Sequence, residues 1–170
     1  MRLRHAEDSD LPAIQSIYAH HVLHGTGTFE ETPPSVEEIE ARFGAARAQG
    51  WRWLVAEDES GILGYAAFAR FRDRSGYRYC AEDSIYVRDD VRGQGVGKAL
   101  VTRVLTEAAA CGFRQMIAVV GDAENAGSIG VHASLGFRQV GVLRAVGWKF
   151  GRWLDAVYMQ RALDGEAPSA

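Results

Sequence analysis

The sequence predicts an α+β fold with a mixed, twisted sheet of about seven strands and about four helices. Three strand-like segments follow one another across short polar turns, which is typical of an antiparallel meander. A helical segment then separates two apolar strand-like runs, and strands joined in this way lie parallel. No repeat or linker divides the 170 residues, so we expect one domain over residues 1–163 and a disordered tail over residues 164–170.

Composition excludes several classes of protein. The net charge of −3 gives no reason to expect nucleic acid or an anionic membrane as a partner. No apolar run approaches the roughly 20 residues that a membrane span needs, and the first residues lack a signal-peptide core, so we expect a cytoplasmic protein. Cys80 and Cys111 have no metal-ligand spacing to histidine, which predicts two buried free thiols and no metal site.

In the first half, apolar spacing predicts a short strand, two helices and the three strands of the meander. Ser35 and Glu38 form a capping box that opens the second helix. The glycine- and proline-rich composition of residues 25–34 predicts a loop between the two helices. The predicted strands cover residues 3–6, 51–57, 62–71 and 77–87, and the predicted helices run from residue 11 to about 22 and from 36 to 49.

In the second half, an apolar stripe predicts a helix over residues 96–108, with Gly112 as its stop signal. A buried strand over residues 113–120 follows. Asn125 or Ser128 caps the next helix, which ends near Gly136. The last two strands are predicted over residues 140–146 and 153–162, on either side of a turn around Gly147 and Gly151.

A glycine-rich turn, Arg92-x-x-Gly95-x-Gly97, joins the third strand of the meander to the next helix. Glycines expose backbone N–H groups, and at a helix N-terminus these groups favour an anion such as phosphate. Gly93, Gly95 and Gly97 read G-x-G-x-G, which differs from the G-x-G-x-x-G of the dinucleotide fingerprint. The loop is not a Walker A loop either, because Gly97-Lys98 is followed by Ala99 and not by Ser or Thr. The loop alone supports equally a connection that only lets a strand pack close to a helix.

The loop and the order of elements resemble the GNAT family of N-acetyltransferases over nearly the whole chain. Asn125 and the run Leu135-Gly136-Phe137 extend the likeness to the second half. Three further stretches, residues 81–87, 128–132 and 147–155, resemble the phosphinothricin and methionine-sulfoximine acetyltransferases. The resemblance implies acetyl-CoA as co-substrate and a homodimer.

In these enzymes acetyl-CoA lies against a strand, and its pyrophosphate lies on the glycine loop. A splayed gap beside that strand leaves N–H and C=O groups unpaired, and the amide-bearing pantetheine pairs with them. The positions that the resemblance implies for acetyl-CoA are Ile85, Tyr86, Val87, Arg92, Gly93, Gln94, Gly95, Val96, Gly97, Lys98 and Asn125.

Two side chains are candidates for the chemistry, which needs a base to take a proton from the attacking amine. Glu82 lies in a strand interior, where carboxylates are uncommon, and alternation places it on the same face as Ser84 and Tyr86. A structural ion pair with Arg72 is the alternative role for it. His132 stands five residues before Phe137, and the resemblance implies that it acts there as a base or protonates the departing thiolate. A histidine with satisfied hydrogen bonds on a semi-buried helix face is the alternative. The sequence leaves open which of the two is the base.

The resemblance also implies an acceptor site for the α-amine of a small amino acid or analogue: phosphinothricin, methionine sulfoximine or methionine sulfone. Arg72, with Arg74 as a rival, matches the arginine that binds the acceptor carboxylate. Tyr77, Phe29, Glu30 and Glu82 complete the predicted site. Neither cysteine lies in an activating motif, which favours direct attack in a ternary complex. A different amine acceptor (polyamine, aminoglycoside or protein N-terminus) and a non-catalytic acyl-CoA sensor are the alternatives.

Overall fold

One mixed sheet runs through the computed structural model, which describes residues 1–163. The described residues form seven strands and four α-helices, which confirms the predicted α+β fold. The strands are β1 (Arg2–His5), β2 (Leu54–Asp58), β3 (Gly61–Arg70), β4 (Cys80–Val87), β5 (Gln115–Gly121), β6 (Arg138–Lys149) and β7 (Arg152–Ala162). The helices are α1 (Leu11–His24), α2 (Val36–Ala48), α3 (Val96–Ala110) and α4 (Ala126–Ser134). The predicted disordered tail lies outside the described residues.

The sheet has the order β1-β2-β3-β4-β5-β7-β6. The pairs are antiparallel except β4 with β5, which are parallel as predicted, because α3 carries the chain back between them. The parallel pairing joins only Cys80–Asp83 to Gln115–Ala118. The remaining residues of the two strands have no pairing with each other. The sheet therefore opens in its middle into the predicted gap.

Two apolar clusters cover the two faces of the sheet. On one face α3 buries the predicted stripe, which includes Leu100 and Val104, against Met116 of β5. On the other face α1 and α2 bury Ile14 and Ile39 against the aromatic side chains of the meander. Each fully buried large aliphatic side chain contributes about 1.5–3 kcal/mol relative to exposure. Packing of the two clusters holds β4 and β5 in place on either side of the gap.

The helix ends follow the predicted signals. Ser35 Oγ accepts from the Glu38 N–H at 3.2 Å, and the Glu38 carboxylate accepts from the Ser35 N–H at 2.7 Å, which completes the capping box of α2. Gly112 follows α3 with a φ of +86°. Of the two cap candidates of α4, Asn125 holds the position, since its side-chain oxygen accepts from the Ser128 N–H.

Three predicted boundaries are wrong. Tyr77 lies in a 3-10 turn, because its N–H and that of Arg78 bond back to Arg74 and Ser75, and β4 begins only at Cys80. β2 begins at Leu54 rather than at residue 51. β6 continues to Lys149, so the last turn consists of Phe150 and Gly151 and excludes Gly147. The register between β6 and β7 is irregular from Leu143 to Gly147, and the glycine pattern does not reveal this irregularity.

Two compositional expectations have structural outcomes. Among residues 1–163, no helix combines the length and the apolar character that crossing a bilayer requires. Both cysteines have free thiols, as predicted, but neither is fully buried: Cys80 is partly buried and Cys111 is exposed. It lies at the C-terminal end of α3, where the helix surface turns towards solvent.

Candidate active site

The gap between β4 and β5 has a closed and an open end. It closes at Asp83 and Ala118, the last paired residues, and it opens towards the glycine loop. Ile85 and Val87 lie along the part of β4 that does not pair with β5, and their side chains approach Gly97 of α3, as does the side chain of Val131 of α4. Residues 85–87 are paired with β3 along one edge and lack pairing with β5 along the other, where their backbone groups can bond an extended, amide-bearing ligand as a strand would. Nε2 of His21 lies 2.8 Å from the Val87 carbonyl oxygen.

The glycine loop leads into the N-terminus of α3 at the open end of this gap. Gly95 caps the helix with a φ of +83°, a conformation that glycine adopts without strain. A Cβ built on Gly93 or Gly95 meets no atom within 4 Å, so the space beside the loop is open. The first N–H groups of α3 have no acceptor within the helix and carry its positive dipole end. The loop therefore fits a pyrophosphate.

The remaining predicted donor-site side chains surround this loop. Arg92 and Lys98 are exposed, and Arg92 pairs with Asp89 at 3.0 Å. Gln94 is exposed, whereas Val96 is buried and anchors the first turn of α3. Across the gap, Asn125 uses its side-chain oxygen for the helix cap, which leaves its N–H₂ group for another acceptor.

A cleft of about 710 Å³ lies on the other side of the same strands, between α2 and the faces of β3 and β4. Glu82, Ser84 and Tyr86 all line it, which confirms the predicted alternation along β4. Tyr86 packs edge-on against Tyr18, with ring centroids 4.7 Å apart, and forms an aromatic wall with Tyr65. The cleft is wide enough for a small acceptor molecule.

Glu82 is the half-buried carboxylate of this cleft. Its side chain is 33% exposed, and its Oε2 lies 3.7 Å from Nη1 of Arg72. Burial raises the pKa of Glu82, Asp83 adds to the rise, and the Arg72 guanidinium opposes it. A carboxylate with a raised pKa and an open path to the cleft is a stronger base than an exposed one.

His132 lies on the opposite face of the sheet, in a buried pair with Asp83. Nε2 is 3.0 Å from Oδ2 of Asp83, Nδ1 is 2.8 Å from the Ser128 carbonyl oxygen, and both paired side chains are 2% exposed. Burial lowers the pKa of His132, but the bonds to Asp83 and Ser128 outweigh it, so the pKa is raised. Because both partners accept, the arrangement suits an imidazolium with a proton on each nitrogen. In that protonation state the ring has no lone pair to offer to an amine.

Some of the predicted acceptor residues line the cleft, and the others lie outside it. Glu82 and Glu30 line the cleft, and Arg72 reaches Glu82 from the rim. The Arg72 side chain is half exposed, donates to the Phe71 carbonyl oxygen at 2.8 Å and stacks 4.0 Å over the Phe71 ring. Tyr77 is exposed, and its ring contacts the ring of Phe71. Arg74, the rival arginine, is exposed at the start of the 3-10 turn.

Phe29 does not line the cleft. Its ring lies against Gly147, where a built Cβ would come within 2.5 Å of a ring carbon. Glu30, the next residue, turns into the cleft and pairs with Arg42 at 3.0 Å. Phe29 thus anchors the loop whose next side chain forms the cleft wall.

Three site features were not predicted. Asp83 was not predicted as a site residue. Alternation placed it on the face opposite to Glu82, but no buried partner was assigned to it there. Tyr18 and Arg42 line the cleft from helices far away in sequence, and their helical spacing only indicates packing. The buried carboxylate next to Glu82, together with a downstream histidine, was the available signal for Asp83.

The open parallel pair and the anion-binding helix end beside it define a transferase that takes its acyl group from a long phosphorylated carrier. A half-buried carboxylate, Glu82, lies in the adjoining cleft. The chain belongs to the GNAT acetyltransferase family, whose model matches residues 14–137. The protein is an N-acetyltransferase, as the sequence predicted.

Relatives of known activity cover almost the whole chain. It is 49% identical over 162 residues to the phosphinothricin N-acetyltransferase of Alcaligenes faecalis, covering 95% of this chain and 82% of the relative. It is 43% identical over 163 residues to the L-methionine sulfoximine/L-methionine sulfone acetyltransferase of Pseudomonas paraeruginosa, covering 95% and 94%. A solved phosphinothricin acetyltransferase of Sinorhizobium meliloti in complex with acetyl-CoA superposes with a TM-score of 0.94 at 46% identity, covering 99% and 91%.

Proposed function

We propose that the protein transfers the acetyl group of acetyl-CoA to the α-amine of a small amino acid or analogue, by direct attack in a ternary complex. One observation carries this proposal. At the closed end of the gap, Glu82 faces the acceptor cleft on one side of the sheet, and the Asp83–His132 pair lies on the other. A base and a cation therefore flank the point where the donor's path ends.

The residues of the donor site fit acetyl-CoA. The unpaired strand edge matches the amides of pantetheine, and the N–H groups from Gly93 to Lys98 match the pyrophosphate. Arg92 and Lys98 add positive charge beside the loop, and Asn125, at the N-terminus of α4, is assigned to the pantetheine arm. Acetyl-CoA supplies an activated acetyl thioester, so the protein must mainly position an amine and remove its proton. No proposed role requires a metal ion.

Glu82 is the general base of this proposal. It has free lone pairs towards the cleft, whereas both nitrogens of His132 already face acceptors. Its raised pKa brings its basicity closer to that of the amine. His132 then serves as a fixed cation near the departing sulfur, where positive charge stabilises a thiolate.

Arg72 and Glu82 together fit an α-amino acid. Their charged groups lie 3.7 Å apart, with opposite signs, at the edge of the cleft. The carboxylate of an amino acid can pair with Arg72 while its amine approaches Glu82. Glu30 forms part of the cleft wall, Phe29 anchors the loop that carries Glu30, and Tyr77 contacts Phe71 beside Arg72. The relatives act on phosphinothricin, methionine sulfoximine and methionine sulfone, and we propose the same class of acceptor here.

A thiol-release assay tests the proposed reaction. The purified protein is given acetyl-CoA with phosphinothricin, methionine sulfoximine, methionine sulfone, spermidine, an aminoglycoside or an N-terminal peptide. We expect release with the three amino acid analogues and a loss of at least about tenfold in kcat/KM in Arg72→Ala, because a carboxylate loses its charged partner. Turnover of spermidine at full rate by Arg72→Ala would contradict the acceptor class. Calorimetric binding of acetyl-CoA without turnover of any amine would indicate a sensor.

We further propose a cytoplasmic homodimer formed through the β6–β7 hairpin. Trp148, Phe150 and Trp153 are all at least half exposed on this hairpin, and β6 is the edge strand of the sheet. Exposed aromatic groups on an open edge are typical of an interface.

Trp153→Ser should shift the protein to monomers in analytical ultracentrifugation, because it removes a large apolar contact from the proposed interface. Tyr79→Ser removes another exposed aromatic side chain, outside the hairpin, and should leave the sedimentation coefficient unchanged. A monomeric wild-type protein at micromolar concentration would contradict the dimer.

A further inference from the structure

Lys149 is a buried cation with no part in the proposed chemistry. Only two of the 19 Lys and Arg residues of the chain are lysines, Lys98 and Lys149. Lys98 is exposed, whereas Lys149 is 1% exposed, near the end of β6. Burial of an ammonium group is costly unless acceptors replace water around it. Its contacts therefore indicate what the cation does.

The Lys149 ammonium binds the loop between α1 and α2 (residues 25–35). Nζ donates to the carbonyl oxygens of Gly25 and Thr28, both at 2.8 Å. It also lies 5.1 Å over the ring of Phe150. A compact ammonium with three donors can bond several such carbonyl oxygens at once. One side chain thus ties two points of the loop to the hairpin.

Packing of Phe29 reinforces this attachment. The ring occupies the space over Gly147, two residues before Lys149, and it also approaches Gly121 at the end of β5. A built Cβ on Gly121 would lie 2.5 Å from the Thr26 carbonyl oxygen, so the loop backbone rests directly on the strand. The loop is therefore held by a buried charge and by a close apolar contact.

The same loop shapes the acceptor cleft. Thr28 Oγ1 lies 2.9 Å from the Tyr18 hydroxyl and accepts from the Glu30 N–H at 3.3 Å. Glu30 pairs with Arg42, and Tyr18, Glu30 and Arg42 all line the cleft. Lys149 itself does not line it. A continuous series of contacts therefore connects the buried ammonium to the cleft wall through Thr28.

We propose that Lys149 is a positioning residue for the acceptor: it fixes the α1–α2 loop and so sets the cleft wall that recognises the amino acid. This inference rests on the proposed acceptor class for its effect on catalysis. Lys149 touches neither the donor gap nor Glu82. Gly27 of the same loop lies beside the side-chain nitrogen of Asn125, so the loss of Lys149 is expected to affect acceptor binding more strongly than donor binding.

Lys149→Met tests the proposal, with Arg144→Met as a matched control. Arg144 is on the same strand, but its side chain is 77% exposed and pairs only with Asp155 among the contacts of the hairpin. Hydrogen exchange of the free protein should speed up in residues 25–31 of Lys149→Met. KM for the acceptor should rise about tenfold, which corresponds to about 1.4 kcal/mol for ordering the loop when the acceptor binds. KM for acetyl-CoA should change less than KM for the acceptor, and Arg144→Met should behave as wild type.

Unchanged loop exchange in Lys149→Met would overturn the proposal, and so would faster exchange with an unchanged acceptor KM. If the wild type acetylates no amino acid, the proposed function fails, while the exchange experiment still tests the attachment of the loop. If Lys149→Met does not fold, nitrogen-15 lysine labelling of the wild type gives two side-chain signals, with Lys98 as internal reference. The Lys149 signal should shift on saturation with acceptor, and an unchanged signal would overturn the proposal.

Discussion

Glu82→Gln should lower kcat by about 100-fold or more, the usual contribution of a general base. The amide keeps the shape of the side chain but cannot take a proton from the amine. Acetyl-CoA affinity, measured by calorimetry, should not change, because Glu82 faces the acceptor cleft and not the gap. Single-turnover measurement of thiol release separates this chemical effect from product release.

The pH profile provides an independent check on Glu82. Burial raises its pKa, so the carboxyl group is protonated and inactive below that raised value. In the wild type kcat/KM should fall as the pH falls through this pKa, and the acidic limb should be absent from the residual rate of Glu82→Gln. Glu40→Gln, which changes an exposed carboxylate on α2, is the control. Equal rates for Glu82→Gln and wild type would exclude Glu82 as the base.

His132→Leu should destabilise the protein by about 3–5 kcal/mol at pH 6, the cost of leaving one member of a buried ion pair alone. Leucine fills a similar volume, so the main loss is electrostatic: Asp83 stays buried without its cation. One oxygen of Asp83 already has no partner among the described residues, so little remains to satisfy the carboxylate. Urea denaturation followed by circular dichroism measures the free energy of unfolding.

The sign of the pH dependence follows from the direction of the pKa shift. The pKa of His132 is raised in the folded state, so the folded protein retains its proton to a higher pH than the unfolded chain does. The stabilisation is complete below about pH 6.5, the ordinary value for histidine, and is lost as the pH rises through the raised pKa. This slope should disappear in His132→Leu.

The double variant Asp83→Leu/His132→Leu removes both charges and separates the ion pair from packing. We expect it to recover most of the stability that His132→Leu loses, because no unpaired charge remains buried. Activity should not recover, since the fixed cation is gone. A double variant as unstable as the single one would show that packing, and not the pair, accounts for the loss.

The fold could be predicted because its signals are local. The capping box at Ser35, the stripe of α3 and the glycine before it each act within a few residues, and the parallel pair follows from the helix that joins its strands. The boundaries that failed depend on distant contacts. β6 can continue past residue 147 because Gly147 has no side chain there. The ring of Phe29, more than a hundred residues away in sequence, occupies the space that a side chain would need.

The site was predictable only where a motif or alternation applied. Alternation along β4 correctly placed Glu82 on the cleft face, and the resemblance indicated His132. The protonation of His132 depends on a carboxylate 49 residues away, and no local pattern contains that distance. The seat of Phe29 and the burial of Lys149 depend in the same way on how a loop folds onto a remote hairpin.

The gap between β4 and β5 has a consequence for the lifetime of the protein in the cell. Missing hydrogen bonds between neighbouring strands weaken a sheet, so this sheet is weakest at its centre, a weak seam between β4 and β5. With the donor bound there as proposed, the ligand acts as a removable strand and closes the seam. A ligand at a hundred times its Kd stabilises the native state by about 2.7 kcal/mol, which lowers the population open to proteases. Saturating acetyl-CoA should therefore slow proteolysis of the purified protein.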